Sequence, residues 1–283
     1  MITPFKANME IDWERLASMI NYVIEGGTDY IVALGTTAET PTLSKEEKRD
    51  VIRFFKQQIA GRVPLVLGAG GNNTLALTKE LQEMELDGVE AILSVTPYYN
   101  KPSQEGLYRH FEAVSKASPV PVILYNVPGR TGVNMSADTT CRLARDFDNI
   151  IAVKEASGNL EQMERVKALT PNDFLLISGD DGLTVEVIKR GGVGVISVLA
   201  NAYPAETVEF VQLALKGELY AAAEKLSRLD NIVSALFEEG NPVGVKTALY
   251  LKGVCSNTMR LPLVSGSEAL EAKIKNLIDE YEK

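Results

Sequence analysis

A charge at the end of an apolar run needs a reason, and Lys154 closes the run Ile150-Ile151-Ala152-Val153. A short run of that kind reads as a buried strand, so its last residue points into whatever lies at the mouth of the sheet. Withdrawal from water favours the neutral amine, and a neutral lysine is a nucleophile toward a ketone. The alternative is a lysine that pairs with Glu155 or carries its ammonium outward on an apolar stem. Lys246, in Asn241-Pro-Val-Gly-Val-Lys246, is a second candidate, but it lies in a helical part of the chain where a structural role is the simpler reading.

Other chemistry-bearing residues fall at comparable places. Tyr125 ends the run Val122–Tyr125; a phenol there can give and take a proton, or can fill a core. Thr36 and Thr37 follow Gly35, where backbone N–H groups and two hydroxyls can cradle a carboxylate, or form a plain turn. Arg130, between Pro128-Gly129 and Thr131-Gly132, can hold a guanidinium against a second carboxylate, or be solvated at the surface. Metal and triad chemistry lack their residues. The one histidine, His110, sits in the amphipathic stretch Gly106–Lys116, where a place on the helix surface is expected, and Cys141 and Cys255 lack metal-type spacing and read as two buried small hydrophobes.

These residues need elements to hold them. Three stretches repeat one arrangement of amphipathic helix, glycine turn and apolar strand: Tyr22 to Gly35, Glu83 to Val95, and Val187 to Ser197. Glycine suits the turn because the residue after a helix often adopts a left-handed conformation. Further apolar runs at Leu65–Gly68, Val122–Tyr125, Ile150–Lys154 and Leu175–Ser178 read as buried parallel strands, and Ile2-Thr3 gives a remnant of another. Ser44-Lys-Glu-Glu47 is a capping-box pattern opening a helix to Ala60. Eight strand–helix units predict an α/β fold, a (β/α)₈ TIM barrel over residues 1–220, with a small helical appendage over 221–283. The first strand starts at Met1, so it is shortened, and either the start is truncated or another element covers the exposed edge. Gly68-Ala-Gly-Gly71 lacks the later glycine and acidic residue of a dinucleotide fingerprint and reads as a tight turn.

Composition narrows the ligand. Hydrophobic residues make up 45% and charged residues 24% of the 283, the balance of an ordinary folded domain. A formal charge of −9 disfavours nucleic acid and acidic membrane as partners, so any anionic substrate must be held by a few local cations. No apolar run is long enough to span a bilayer, and Met1-Ile2-Thr3-Pro4-Phe5-Lys6 lacks the apolar core of a signal peptide, which predicts a cytoplasmic protein.

In chain order, Gly35-Thr-Thr-Ala-Glu39, Val95-Thr-Pro-Tyr-Tyr-Asn-Lys-Pro-Ser103, Leu124-Tyr-Asn-Val-Pro-Gly-Arg-Thr-Gly132, Val153-Lys-Glu-Ala-Ser-Gly158 and Ser178-Gly-Asp-Asp181 resemble the dihydrodipicolinate synthase and N-acetylneuraminate lyase family of class I, lysine-dependent aldolases. The resemblance covers almost the whole chain. It implies that Lys154 forms a Schiff base with pyruvate and that Tyr125 moves the proton, with Thr36 and Tyr99 completing a relay. By the same resemblance Thr37 binds the pyruvate carboxylate, Gly179 and Ile196 line its site, and Arg130 holds the carboxylate of L-aspartate 4-semialdehyde. The implied condensation belongs to the diaminopimelate and lysine route, and needs no metal and no cofactor beyond the covalent lysine–pyruvate Schiff base. The implied assembly is a homotetramer built as a dimer of dimers, with Tyr99 reaching into a neighbouring subunit.

Two departures stand out. Ala38 replaces a glycine common in the family motif, which is tolerable if the backbone there avoids left-handed angles. Where lysine-inhibited relatives use a histidine and a glutamate, this chain has Lys45 and Ala76, which predicts weak or absent inhibition by lysine. Two other readings share parts of the pattern. Another pyruvate-dependent aldolase, for N-acetylneuraminate or a keto-deoxy-sugar acid, keeps Lys154 and Tyr125 but has no use for Arg130; a non-catalytic keto-acid sensor leaves the retained lysine, tyrosine and threonines unexplained.

Overall fold

Ser44 and Glu47 cap each other as their spacing predicts: the Ser44 hydroxyl accepts from the Glu47 N–H at 3.1 Å and the Glu47 carboxylate accepts from the Ser44 N–H at 2.9 Å. The same local logic starts most of the long helices in the computed structural model, which describes residues 1–283. Asp12, Asn73, Ser103, Ser136, Asn159 and Ser267 each accept a backbone N–H from the first turn that follows, satisfying a donor the helix leaves unpaired.

In chain order the elements are α1 (Trp13–Glu25), β1 (Ile31–Ala33), α2 (Lys45–Ile59), β2 (Leu65–Gly68), α3 (Thr74–Glu83), β3 (Ala91–Val95), α4 (Gln104–Ala117), β4 (Val122–Asn126), the one-turn α5 (Pro128–Thr131), α6 (Ala137–Asp146), β5 (Ile150–Glu155), α7 (Leu160–Leu169), β6 (Leu175–Ser178) and α8 (Thr184–Lys189). Five helices follow: α9 (Pro204–Leu215), α10 (Leu219–Ser227), α11 (Asp230–Glu238), α12 (Val243–Leu251) and α13 (Glu268–Tyr281). The chain forms two compact units, residues 65–196 and residues 1–64 with 197–283.

In the first of these units β2 to β6 lie side by side in chain order, all parallel. Parallel neighbours require crossover connections, and helices supply them. Leu67, Ile92, Leu124, Val153 and Leu176 are wholly buried, as near-continuous apolar strands covered on both faces must be. Paired residues of parallel strands share a face, so Val95, Tyr125, Lys154 and Ile177 form one row across β3 to β6. Side chains alternate along a strand, so Asn126, Glu155 and Ser178, also in register, form the next row on the opposite face.

The other unit holds β1, α1, α2 and the five final helices. Its chain start is tied down by single bonds rather than a ladder: the Met1 ammonium donates to the Val32 carbonyl at 2.7 Å and the Ile2 N–H to Asn201 Oδ1 at 3.0 Å.

Two of the eight expected strands are therefore absent as strands, leaving six. At Ile2-Thr3 a side chain takes the backbone donor that a ladder would use. At Val193–Ser197 only Val195 bridges to Ser178, because Gly194 with φ of 147° breaks the extended run. The expected glycine turns are present, with Gly27 and Gly191 at φ of 88° and 91°. Both cysteines are free and buried. No helix is long and apolar enough to cross a membrane.

His110 corrects a sequence expectation. It is 3% exposed rather than on the helix surface, because Leu107, His110, Phe111 and Val114 lie on one stripe of α4 that faces inward. Its Nδ1 bonds the Thr74 hydroxyl at 2.8 Å, and burial pushes its pKa down to about 4.

Candidate active site

β4 and β5 end together, and their pairing brings Tyr125 opposite Lys154. Lys154 is 8% exposed and Tyr125 7%, with the lysine Nζ over the phenol ring, 4.3 Å from its centroid. An ammonium or any cation formed on Nζ is attracted to that ring face. Lys154 does not pair with Glu155, which the strand turns to the opposite side. The Glu155 carboxylate instead accepts from Asn126 Nδ2 at 3.1 and 3.0 Å, from Gln162 Nε2 at 2.9 Å and from the Ser157 N–H at 2.8 Å. Burial pushes its carboxyl above the ordinary range, against those hydrogen bonds, which favour the anion.

Gly179, one residue past β6, lies against this pair. Its N–H donates to the Glu155 carbonyl at 2.8 Å, and a Cβ there would sit 3.2 Å from Lys154 Cε. Ile196 is held nearby in sequence register, its N–H donating to the Ser178 carbonyl at 3.0 Å. Arg130 is exposed and stands on the short helix α5, which Gly132 closes at φ of 72°. Tyr99 is 88% exposed and has a positive φ of 75°, an uncommon conformation for an aromatic residue.

Thr36 and Thr37 belong to the other unit, in a single 3-10 turn, Thr36–Ala38. Ala38 is absent from the residues with positive φ; the left-handed residues are Leu34 and Glu39, at 55° and 54°. The backbone thus meets the condition that Ala38 imposes. Asn241 Nδ2 donates to the Thr37 hydroxyl at 2.9 Å, which leaves that hydroxyl's own proton to donate to an anion. Lys246 takes the structural role expected of it: it is fully buried with Glu39, 2.5 Å from Oε1, and also donates to the Thr258 carbonyl at 2.9 Å. Glu39 Oε2 accepts from the Arg260 N–H at 3.1 Å.

The sequence reading missed the partners of these groups. Asn126, Gln162, Asn241 and Glu39 carried no assigned role. Only Glu155 offered a usable signal, since neighbours on a strand face opposite ways and Lys154 could not be its partner. No group of three or more His, Cys, Asp or Glu side chains converges as a metal site would.

The model of the dihydrodipicolinate synthetase family matches residues 1–281. The 4-hydroxy-tetrahydrodipicolinate synthase of Parabacteroides distasonis is 49% identical over 278 residues, 98% of this chain and 94% of that protein. The crystal structure of dihydrodipicolinate synthase from Thermotoga maritima superposes with a TM-score of 0.97 at 38% identity, covering 100% of this chain and 96% of that one. A monomeric dihydrodipicolinate synthase variant gives 0.97 at 39% identity, covering 100% and 95%. The chain belongs to the dihydrodipicolinate synthetase family.

Proposed function

We propose that this chain is an enzyme that condenses pyruvate with L-aspartate 4-semialdehyde to give 4-hydroxy-tetrahydrodipicolinate, in the diaminopimelate route to lysine. The observation that carries the reading is the buried amine of Lys154 over the Tyr125 ring, at the paired ends of two parallel strands, in a chain of this family.

Lys154, as the free amine, attacks the pyruvate ketone; water leaves and a cationic imine forms. Loss of a methyl proton gives an enamine, and Tyr125 is the group assigned to moving protons in these steps. Thr37 holds the pyruvate carboxylate, its hydroxyl oriented by Asn241. Thr36 and Tyr99 extend the relay, with Tyr99 supplied by a neighbouring subunit. Gly179 and Ile196 line the pyruvate site, and Arg130 holds the carboxylate of the semialdehyde. The enamine carbon attacks the aldehyde, after which the substrate's own amine displaces Lys154 and closes the ring. The imine is its own electron sink, so this reading assigns no cofactor and no metal. It places the enzyme in the cytoplasm, as a (β/α)₈ barrel assembled into homotetramers, and leaves it weakly inhibited or uninhibited by lysine because of Lys45 and Ala76.

Reduction with borohydride in the presence of pyruvate tests the reading. The protein should gain the mass of one reduced pyruvyl group, on the peptide carrying Lys154, and Lys154→Ala should gain none. An unlabelled Lys154 would overturn the Schiff-base mechanism. Turnover of N-acetylmannosamine in place of the semialdehyde would overturn the substrate assignment and favour a sugar-acid aldolase.

A further inference from the structure

The Glu155 carboxylate has no exposure to solvent, and the three groups that donate to it come from three different parts of the chain. Asn126 is the last residue of β4, Ser157 lies in the turn after β5, and Gln162 is in α7. Two of these donors reach on to one place. Asn126 Nδ2 donates to Asn134 Oδ1 at 2.7 Å, and Asn126 Oδ1 accepts from the Met135 N–H at 2.9 Å. Gln162 Oε1 accepts from Asn134 Nδ2 at 2.8 Å, while its Nε2 donates to the Met135 carbonyl at 3.3 Å. Asn126 and Asn134-Met135 are the two ends of the loop that carries Arg130. Both ends are thus gathered by amides that the one carboxylate organises.

A carboxylate offers acceptors only, so it fixes which way each amide faces. Once the Asn126 and Gln162 NH₂ groups are drawn to Glu155, their oxygens are committed to Met135 and Asn134. The loop between can then hold Arg130 in one place. A guanidinium that must meet a carboxylate in two-point fashion tolerates little displacement.

The geometry points to Glu155 as a positioning residue that sets recognition of the second substrate by clamping the Arg130 loop. Adjacent residues on β5 then divide the work: Lys154 on one face serves the ketone, and Glu155 on the other holds the loop that grips the aldehyde's carboxylate. This inference rests on the assignment of Arg130 in the proposed function.

Steady-state kinetics with both substrates, paired with pyruvate trapping, test it. Glu155→Gln keeps the shape but turns one acceptor into a donor facing donors. It should raise the KM for aspartate semialdehyde by about tenfold, the scale expected for a small misplacement of a binding group. Half-saturating pyruvate in the trapping reaction should stay unchanged. Gln162→Leu, at a partly exposed position, should act in the same direction by about threefold, and decides the matter if Glu155→Gln does not fold. The inference is overturned if both substrates' constants rise together, as a merely structural residue would cause, or if the semialdehyde KM stays put while Arg130→Ala raises it. An Arg130→Ala chain with an unmoved semialdehyde KM would instead remove the Arg130 assignment, and the inference with it.

Discussion

At Gly179 an added methyl would meet three walls: Ala156 Cβ at 2.6 Å, the Glu155 carbonyl at 3.1 Å and Lys154 Cε at 3.2 Å. Its φ is not left-handed, so the glycine is there for space and not for backbone freedom. Gly179→Ala must therefore shift the backbone after β6, with its bond to the Glu155 carbonyl, or the turn that carries Ala156 directly after Lys154 and Glu155. Either movement changes the packing against the lysine stem and so disturbs the nucleophile. The expected outcome is a folded protein, destabilised by about 1–3 kcal/mol as overpacked sites are, whose pyruvate trapping slows by more than tenfold, on the order of what a misplaced reacting group costs. Stopped trapping reactions and a urea melt measure the two effects; normal trapping would show that the site has slack. Lys154 itself was legible in the sequence because a charge closing an apolar run has few places to go. The crowding that makes Gly179 necessary was not, since it arises between strands β5 and β6 and their side chains, and no local pattern carries it.

Elements that depend on local physics were readable before any coordinates. The Ser44 capping box and the runs that became β2 to β6 follow from capping and hydrophobic patterning. The first expected strand failed because a strand exists only if a neighbour accepts its ladder, a non-local condition, and the last because Gly194, at φ of 147°, interrupts the extended run although its neighbours still bond to β6. Burial of polar groups within elements was equally hidden. The helix α4 puts His110 on its core stripe, and its pKa of about 4 lies below the ordinary 6.5. A depressed value means that the unfolded chain binds the proton more readily, so the folded state loses stability as pH falls from 6.5 toward 4 and keeps it in full above that window. Between pH 7 and pH 5 this histidine alone should cost about 2 kcal/mol, and His110→Gln should flatten that part of the urea-stability profile. An unchanged slope would mean that the folded and unfolded chains take up the His110 proton alike. The buried Glu39–Lys246 pair binds the turn that follows Thr37 to α12. Lys246→Met should destabilise by about 3–5 kcal/mol, the cost of leaving a buried charge unpaired, and Glu39→Gln with Lys246→Met together should recover part of it. Equilibrium denaturation of the three variants checks that order.

The molecule as a whole leaves Tyr99 in an unexplained position. A tyrosine 88% exposed, beside a Tyr98 that is 40% exposed, offers an aromatic surface that a single chain does not use, and its φ of 75° holds the side chain out at a conformational cost. Both are accounted for if the ring enters a neighbouring copy. That similar structures include a monomeric variant shows that this fold can exist without such a neighbour, so the role of Tyr99 has to be read from activity and not from fold. Mixing two inactive chains separates the possibilities. Tyr99→Phe keeps the ring for packing but lacks the hydroxyl; Lys154→Ala keeps the hydroxyl but lacks the nucleophile. If Tyr99 serves its own chain, no combination of the two has a complete site, and the mixture stays at the sum of its parents. If it serves the neighbour, each hybrid pair contains one complete site, formed from the lysine of one chain and the tyrosine of the other. Random exchange in a two-fold pair makes about half the pairs hybrid, so the mixture should recover about a quarter of the unaltered specific activity. The recovery should appear with the time course of subunit exchange and vanish when the chains are cross-linked as parents before mixing, which ties the restored turnover to shared sites and to nothing else in the solution.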